Sequence, residues 1–498
     1  MIQASTVHEP VDAEPTLPDA LEELFPLAMA PMEAYLVMDD RPDCPMTSWI
    51  ELHFVGQLQR HALQRALHAT IHRHPLLASR AKRIEGNWFW SYDPEFTPRL
   101  RDPESEPMLV TMPGTKAPTP RPLDPTLEPG CRYWYASDPA NDTSRLIIQL
   151  HHACCDGVGL RQVLIDSLTG YAARASDPND SNPPSQDHRR RRQRDRLDPM
   201  RLRDRADFSA ITEKPAKARL TWWRKLRNAH YFYFQPPDSL RGRDRAPRNA
   251  STDSSNCRES AEPIRHHLFD ASTSNAILER CRRSEVSVND LALALLFSAC
   301  RQWNQSTGND SPNRRLRLLM PIDLRGRADI GLPATNRLSF AFLGRTHGQC
   351  ESWSSLLESV QDETQWIKDT RVYMDFLDGM AVATKHPRVM KALLRRGNRM
   401  CTSVLTYTGD ISRGLKRIFP EENGRRRVGD VDLERILVAP PARRNTNITF
   451  GLCINWGQIC LSANWNRLAM TEADCIEFLA IYAEAWRAWL NRTPAPTS

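Results

Sequence analysis

Apolar and polar positions alternate along residues 49–55 (WIELHFV), the period of a strand with one buried face, and Gly56 ends the alternation. The period then lengthens. Leu58, Ala62, Leu63, Ala66, Leu67 and Ile71 share a helical stripe, which Pro75 stops after Arg73 and His74. Residues 76–83 lead into a predicted hairpin about Gly86, with Trp88 and Trp90 on one strand face. The proline-rich stretch 103–129 reads mostly as loop. Strand patterns return at 131–136 and 145–150, and a second helix follows with Leu160, Val163, Leu164, Leu168 and Tyr171 at helical spacing. Between that strand and that helix lies the turn 151–159, HHACCDGVG.

A similar mixture resumes near Pro263. A strand is expected at 264–269, and Ser287 with Asp290 three residues on forms an approximate capping box for a helix bearing Leu291, Ala294, Leu295, Ser298 and Ala299 along one side. Residues 316–325 (LRLLMPIDLR) read as a strand entering a loop, 336–343 (NRLSFAFL) as a strand beside it, and 351–396 as helical. Residues 446–454 and 458–465 form a predicted hairpin about Trp456-Gly457, and Thr471 with Asp474 caps a last helix through Trp489.

The stretch 176–262 differs, being rich in Pro, Asp, Asn, Ser and Arg, and it contains RRRRQRDR at 189–196, which cannot pack as a core. It reads as an interlobe linker or insertion. Inside it, 220–234 (LTWWRKLRNAHYFYF) mixes aromatic and basic residues, an amphipathic helix either docked on a lobe or in peripheral contact with a membrane. The predicted organisation is α/β (α+β): a disordered acidic N-terminus at 1–23, one lobe at 24–175, the linker at 176–262, a second lobe at 263–490 and a tail at 491–498.

Composition narrows the class. With 498 residues and 40% hydrophobic content the chain can bury two cores, and its longest apolar runs, such as 291–297, fall far short of the ~20 residues that span a bilayer. The acidic first residues lack the basic start of a secretory signal, so a soluble cytoplasmic protein is expected. Twelve cysteines show no C-x-x-C pairing, which points to reduced thiols rather than a zinc site or disulfide scaffold. The net charge of +7 owes much to the 189–196 run, so no nucleic-acid partner is expected.

In the 151–159 turn, His151, His152 and Asp156 lie within six residues directly after a buried strand. Strand-end histidines can be plain hydrogen-bonding residues. They can also ligate metal, but adjacent residues on a strand point to opposite faces, so this pair with Asp156 suits one ion badly and no metal is expected. In a third reading one imidazole faces a cleft and takes a proton from a hydroxyl or amine, while its neighbour packs. Asp156 would then hold the loop by pairing with an arginine, and Gly157 would let backbone approach closely. Cys154 and Cys155 read as buried packing rather than nucleophiles.

HHACCDG resembles the HHxxxDG motif of the coenzyme A-dependent acyltransferase superfamily, which includes peptide-synthetase condensation domains, plant-type acyltransferases, wax ester synthases and alcohol acetyltransferases. Gly56-Gln57-Leu58, with the helix running to Arg73-His74-Pro75-Leu76-Leu77, is similar to that family's N-terminal signature. Pro321 to Arg325 resembles its P-x-x-x-R stretch, and Asn336 with Ser339 resembles the N-x-x-S of wax-ester-synthase-like members. The likeness covers 24–490 without the linker. It implies two chloramphenicol-acetyltransferase-like lobes, each a mixed sheet flanked by helices, with a tunnel between them. It further implies transfer of an acyl group from acyl-CoA or an acyl-carrier thioester to an alcohol or amine. His152 would be the base with His151 beside it, Asp156 would brace the loop against Arg325, and Gly157, Asn336 and Ser339 would meet substrate, strand packing being the alternative for Ser339. No bound cofactor is implied, only the thioester co-substrate, and the partners are small-molecule donor and acceptor or an acyl carrier protein. The DFGWG element of the plant-type branch has no convincing counterpart, although Thr406-Tyr407-Thr408-Gly409 falls in a comparable region. No carrier-protein or adenylation motif accompanies the pair of lobes, which reads as stand-alone. The alternative is a catalytically inactive condensation-like binding module, against which the intact His152, Asp156 and Gly157 count.

Overall fold

Two mixed sheets divide the chain in this computed structural model, which describes residues 17–113, 117–175, 197–212, 223, 235–243, 262–308, 311–396, 399–422, 424–444 and 446–492. In chain order their main strands are β1 (Thr47–Val55), β2 (Cys131–Asp138), β3 (Thr143–His151), β4 (Arg265–Leu268), β5 (Arg315–Asp323), β6 (Leu338–Thr346), β7 (Ser403–Asp410), β8 (Arg425–Val428), β9 (Val431–Ala439), β10 (Ile448–Asn455) and β11 (Gln458–Trp465). The first sheet runs Glu421–Glu422, β8, β9, β1, β3, β2, Leu100–Arg101, and the second runs β4, β11, β10, β7, β5, β6. Central strands are apolar on both faces, as in Leu146, Ile147 and Ile148 of β3, because helices or the other sheet cover both sides. Helix Arg60–Arg73 packs against helix Gly157–Ala175, the two stripes seen in the sequence.

Local signals act as expected. Ser79–Ile84 and Asn87–Tyr92 pair about Gly86, and β10 and β11 turn tightly at Trp456 and Gly457, whose φ values of 52° and 89° match a primed hairpin turn. The Ser287 hydroxyl accepts the Asp290 N–H at 3.0 Å, and Thr471 with Asp474 forms a full capping box. Among the described residues no helix is long and apolar enough to cross a membrane.

Three placements differ from the sequence reading. First, residues 17–24, mostly assigned to a disordered lead-in, form helix Leu17–Leu24 with Leu21 and Leu24 buried; its acidic outer face hid the short apolar stripe. Second, 421–439 joins the first sheet, where β9 pairs antiparallel with β1 from Ala439↔Trp49 to Asp432↔Val55, so the sheets do not divide at 262–263. Third, parts of the expected linker are docked. Leu240 is fully buried, and its carbonyl and that of Arg241 accept from Asn447 Nδ2 at 2.6 Å and Trp303 Nε1 at 2.9 Å. The 189–196 run and all of 220–234 except Trp223 lie outside the described residues.

The two sheets meet where β9 passes β10. Asn455 at the end of β10 donates to Ile436 O and accepts from Ile436 N, both at 2.9 Å, so one side chain supplies both bonds of an absent strand partner. Thr449 and Asn464 each donate to Pro440 O at 3.0 Å. At this crossing Gly451 has no room for a side chain: a Cβ there would overlap the Val438 carbonyl oxygen and lie 2.9 Å from its carbon. Gly451→Ala should therefore force the sheets apart and cost about 1–3 kcal/mol as an overpacked site. The urea midpoint should fall with the denaturant slope unchanged, and an unchanged midpoint would contradict the close contact.

Candidate active site

β3 delivers the histidine pair. Its last residue, His151, lies opposite Thr47 of β1, and successive amides bind to opposite sides: His151 N donates to Gly130 O and His152 N to Met46 O, both at 2.8 Å. The side chains diverge accordingly. The His151 ring is fully buried, its Nδ1 accepts the Ala153 N–H at 3.2 Å, and its Nε2 lies 3.8 Å from Asp40 Oδ1. His152 keeps part of its surface open. Burial pushes its imidazole below the ordinary histidine value, outweighing the opposing pulls of nearby backbone groups and the Asp156 carboxylate. At neutral pH the ring is uncharged and can accept a proton.

All four acceptor positions of the Asp156 carboxylate are occupied. Oδ1 accepts Val158 N at 3.1 Å and Gly159 N at 2.9 Å, capping helix Gly157–Ala175. Oδ2 accepts Arg325 Nη1 and Arg337 N, both at 2.8 Å. Arg325 also donates through Nη2 to Thr335 O at 2.8 Å, so the Asp156–Arg325 pair joins the motif to the loop between β5 and β6.

That loop holds the motif at further points. Asn336 Nδ2 donates to His152 O at 3.0 Å and Ala153 O at 2.6 Å, so its amide fixes the backbone beneath the candidate base. Thr335 O accepts Asp156 N at 3.3 Å, and Ala334 N donates to Nδ1 of the fully buried His74 at 3.0 Å. Ser339 is fully buried on β6 and donates to Tyr373 O at 2.6 Å, the bonding that strand packing requires. The close backbone approach expected at Gly157 falls at Gly159, where a Cβ would lie 3.1 Å from Thr335 N and 3.2 Å from Ala334 Cα. A Cβ on the exposed Gly157 would meet only Thr408 Cγ2, at 3.8 Å.

Asp156 and Gly157 line a cavity of about 150 Å³ together with Leu164, Tyr407, Thr408 and Val438. A larger cavity of about 1120 Å³ lies beyond Arg325 and includes Arg327, Arg337 and Arg371. Cys154 and Cys155 are buried, and burial pushes both thiols well above their ordinary value, so neither is a thiolate nucleophile. Among the described residues no group of three or more His, Cys, Asp and Glu side chains is placed to hold a metal ion.

Two participants escaped the sequence reading. His74 lies in the Arg73-His74-Pro75 signature, which carried no role beyond ending a helix. Glu33 is the lone acid in the otherwise apolar stretch 28–38, the pattern of a buried and partnered carboxylate.

No family model matches the chain, and no curated protein matches it. Solved structures do. TRI3 trichothecene 15-O-acetyltransferase from Fusarium sporotrichioides aligns with a TM-score of 0.60 at 11% identity, covering 93% of this chain and 94% of that one. The first condensation domain of the CDA synthetase aligns at 0.54 and 13%, covering 92% and 95%. Polyketide synthase associated protein 5 from Mycobacterium tuberculosis aligns at 0.52 and 12%, covering 93% and 96%. The chain thus has the two-lobed α/β fold of condensation domains and of that acetyltransferase, the fold implied by the HHxxxDG resemblance.

Proposed function

We propose that this protein is an acyltransferase that moves an acyl group from acyl-CoA or an acyl-carrier thioester to an alcohol or amine, with His152 as general base. The observation that carries this reading is an uncharged, partly open imidazole whose backbone is pinned by Met46 O and Asn336, while the neighbouring carboxylate is fully engaged in holding the loop. His152 removes the nucleophile's proton as its oxygen or nitrogen bonds to the thioester carbon. The tetrahedral intermediate then expels sulfur, which takes the proton back and leaves as free thiol. Inert Cys154 and Cys155 favour this direct attack over an acyl-enzyme. Both free and carrier-bound thioesters suit this reading, since similar structures include an O-acetyltransferase and a synthetase condensation domain.

The test is to incubate the purified protein with acyl thioesters of graded chain length, alcohol and amine acceptors, and carrier-bound donors. Free thiol and acylated product should appear in equal amounts and only when an acceptor is present. Binding of thioesters without turnover across the panel would reject the enzyme in favour of a binding module.

A further inference from the structure

The segment 197–212 sits inside what the composition marked as linker, yet it holds a buried, fully bonded arginine. Arg205 is 2% exposed and grips Glu33, itself 0% exposed, with two parallel bonds: Nε to Oε1 at 2.8 Å and Nη2 to Oε2 at 2.7 Å. Glu33 Oε2 also accepts Ala30 N and Trp90 Nε1, both at 2.9 Å, which fixes the carboxylate in the first lobe. Its Oε1 accepts the hydroxyl of Thr335 at 3.1 Å. Thr335 is fully buried, and its carbonyl receives both Asp156 N and Arg325 Nη2.

The same segment grips that loop from its other side. Arg337 Nη1 donates to the carbonyls of Arg205 and Asp207, both at 2.9 Å, while its amide donates to Asp156. Asp198 N donates to Gly331 O at 2.9 Å, and Arg371 Nη1 donates to Ile211 O at 2.5 Å. Segment 197–212 therefore bonds to both halves of the chain, and the loop it meets is the one that pins His152 and Asp156.

We propose that 197–212 is an interlobe latch in which Arg205, acting through Glu33 and Thr335, positions loop 334–337 and through it the backbone of His152. Arg205 and Glu33 touch no reacting atom; they are positioning residues. A neutral or unforked side chain at 205 leaves Glu33 without its bidentate partner, frees Thr335 to shift, and moves the Asn336 amide that supports the base. The kinetic part of this inference rests on the acyltransferase reading; the structural part does not.

The test uses the full chain with Arg205→Met, Arg205→Lys and Thr335→Val, the last removing one hydroxyl donor and leaving the Glu33–Arg205 pair in place. Two readouts are taken: hydrogen exchange of the amides in 332–338, and kcat and KM for thioester turnover per folded molecule. Arg205→Met should speed exchange in that loop and lower kcat by about 2–30-fold with KM little changed, the range expected for residues that act on a site through a contact network. Arg205→Lys keeps the charge without the fork and should recover part of the loss. Thr335→Val should show the same direction, and it decides the matter if Arg205→Met does not fold. Arg345→Met, which breaks the ion pair between strand β6 and Glu363 on helix Trp353–Thr370, should lower the melting temperature and leave kcat alone. Loop exchange and kcat at wild-type values in both Arg205→Met and Thr335→Val would overturn the latch. If the wild-type protein turns over no thioester, the functional reading fails, and loop exchange alone still decides the latch.

Discussion

His152→Ala should lower acyl transfer by about 10² to 10⁴-fold, the usual contribution of a positioned general base, while the melting temperature stays close to that of the wild type. The two parts of this expectation come from different atoms. The bonds that hold residue 152 in place are made by its backbone, His152 N to Met46 O and Asn336 Nδ2 to His152 O, and both survive truncation at Cβ. The residue is intermediate in exposure, so truncation removes some ring packing but none of these bonds. The base acts as bonds to the nucleophile form, so kcat and kcat/KM should fall together rather than KM rising alone. The pH profile gives an independent reading. Burial holds the His152 value below the ordinary 6.5, so the active neutral form is populated above that lowered value and lost beneath it. Wild-type kcat/KM should climb through an acidic midpoint below 6.5 and be level by pH 7, and the climb should vanish in the variant. A midpoint above 6.5, or wild-type turnover by His152→Ala, would remove His152 from the role of base.

Much of the local structure was legible because its causes are local. The alternation in 49–55, the helical stripe from Leu58 to Ile71, the glycine turns at Gly86 and Gly457 and the Thr471 cap each depend on a few neighbouring residues. Long-range pairing was legible only through the family resemblance: nothing in the spacing says that Asp156 meets Arg325 across 169 positions. β9 shows the limit from the other side. The sequence reading assigns it no element, and although its second half, Ile436 to Ala439, is buried on both faces, the choice of β1 as partner is made by residues hundreds of positions away.

The charged residues misled most. Arg205 belongs to a stretch whose composition signals solvated chain, and most such arginines are solvated, yet this one is sealed against Glu33. The cue lay with the partner: an acid isolated among apolar residues must find a cation. Gly159 carried no cue of its own, because its lack of a side chain matters only where Ala334 and Thr335 of a distant loop press on it.

Removing the Asp156 carboxylate should be among the most damaging single changes to the fold. Asp156→Ala takes the buried partner from the Arg325 guanidinium, whose side chain is 12% exposed and which keeps only the more exposed Asp323 Oδ1 at 3.0 Å as a carboxylate partner, and it leaves the Val158, Gly159 and Arg337 amides without their acceptor. Leaving one charge of a buried pair alone costs about 3–5 kcal/mol, and because Asp323 keeps part of the attraction the expected loss is at the low end, about 3 kcal/mol. Asp156→Asn should fall between the variant and wild type, because an asparagine oxygen caps a helix as well as an aspartate does but attracts Arg325 less. The double variant Asp156→Ala, Arg325→Met is the decisive comparison. Arg325→Met alone leaves the carboxylate buried without its cation, whereas removing both groups removes the orphaned charge, so the double cost should be smaller than the sum of the single costs. Urea midpoints for the four proteins close the cycle. Strict additivity would mean that Asp156 and Arg325 act independently, and that the loop carrying Asn336 is held to the histidine motif by other bonds.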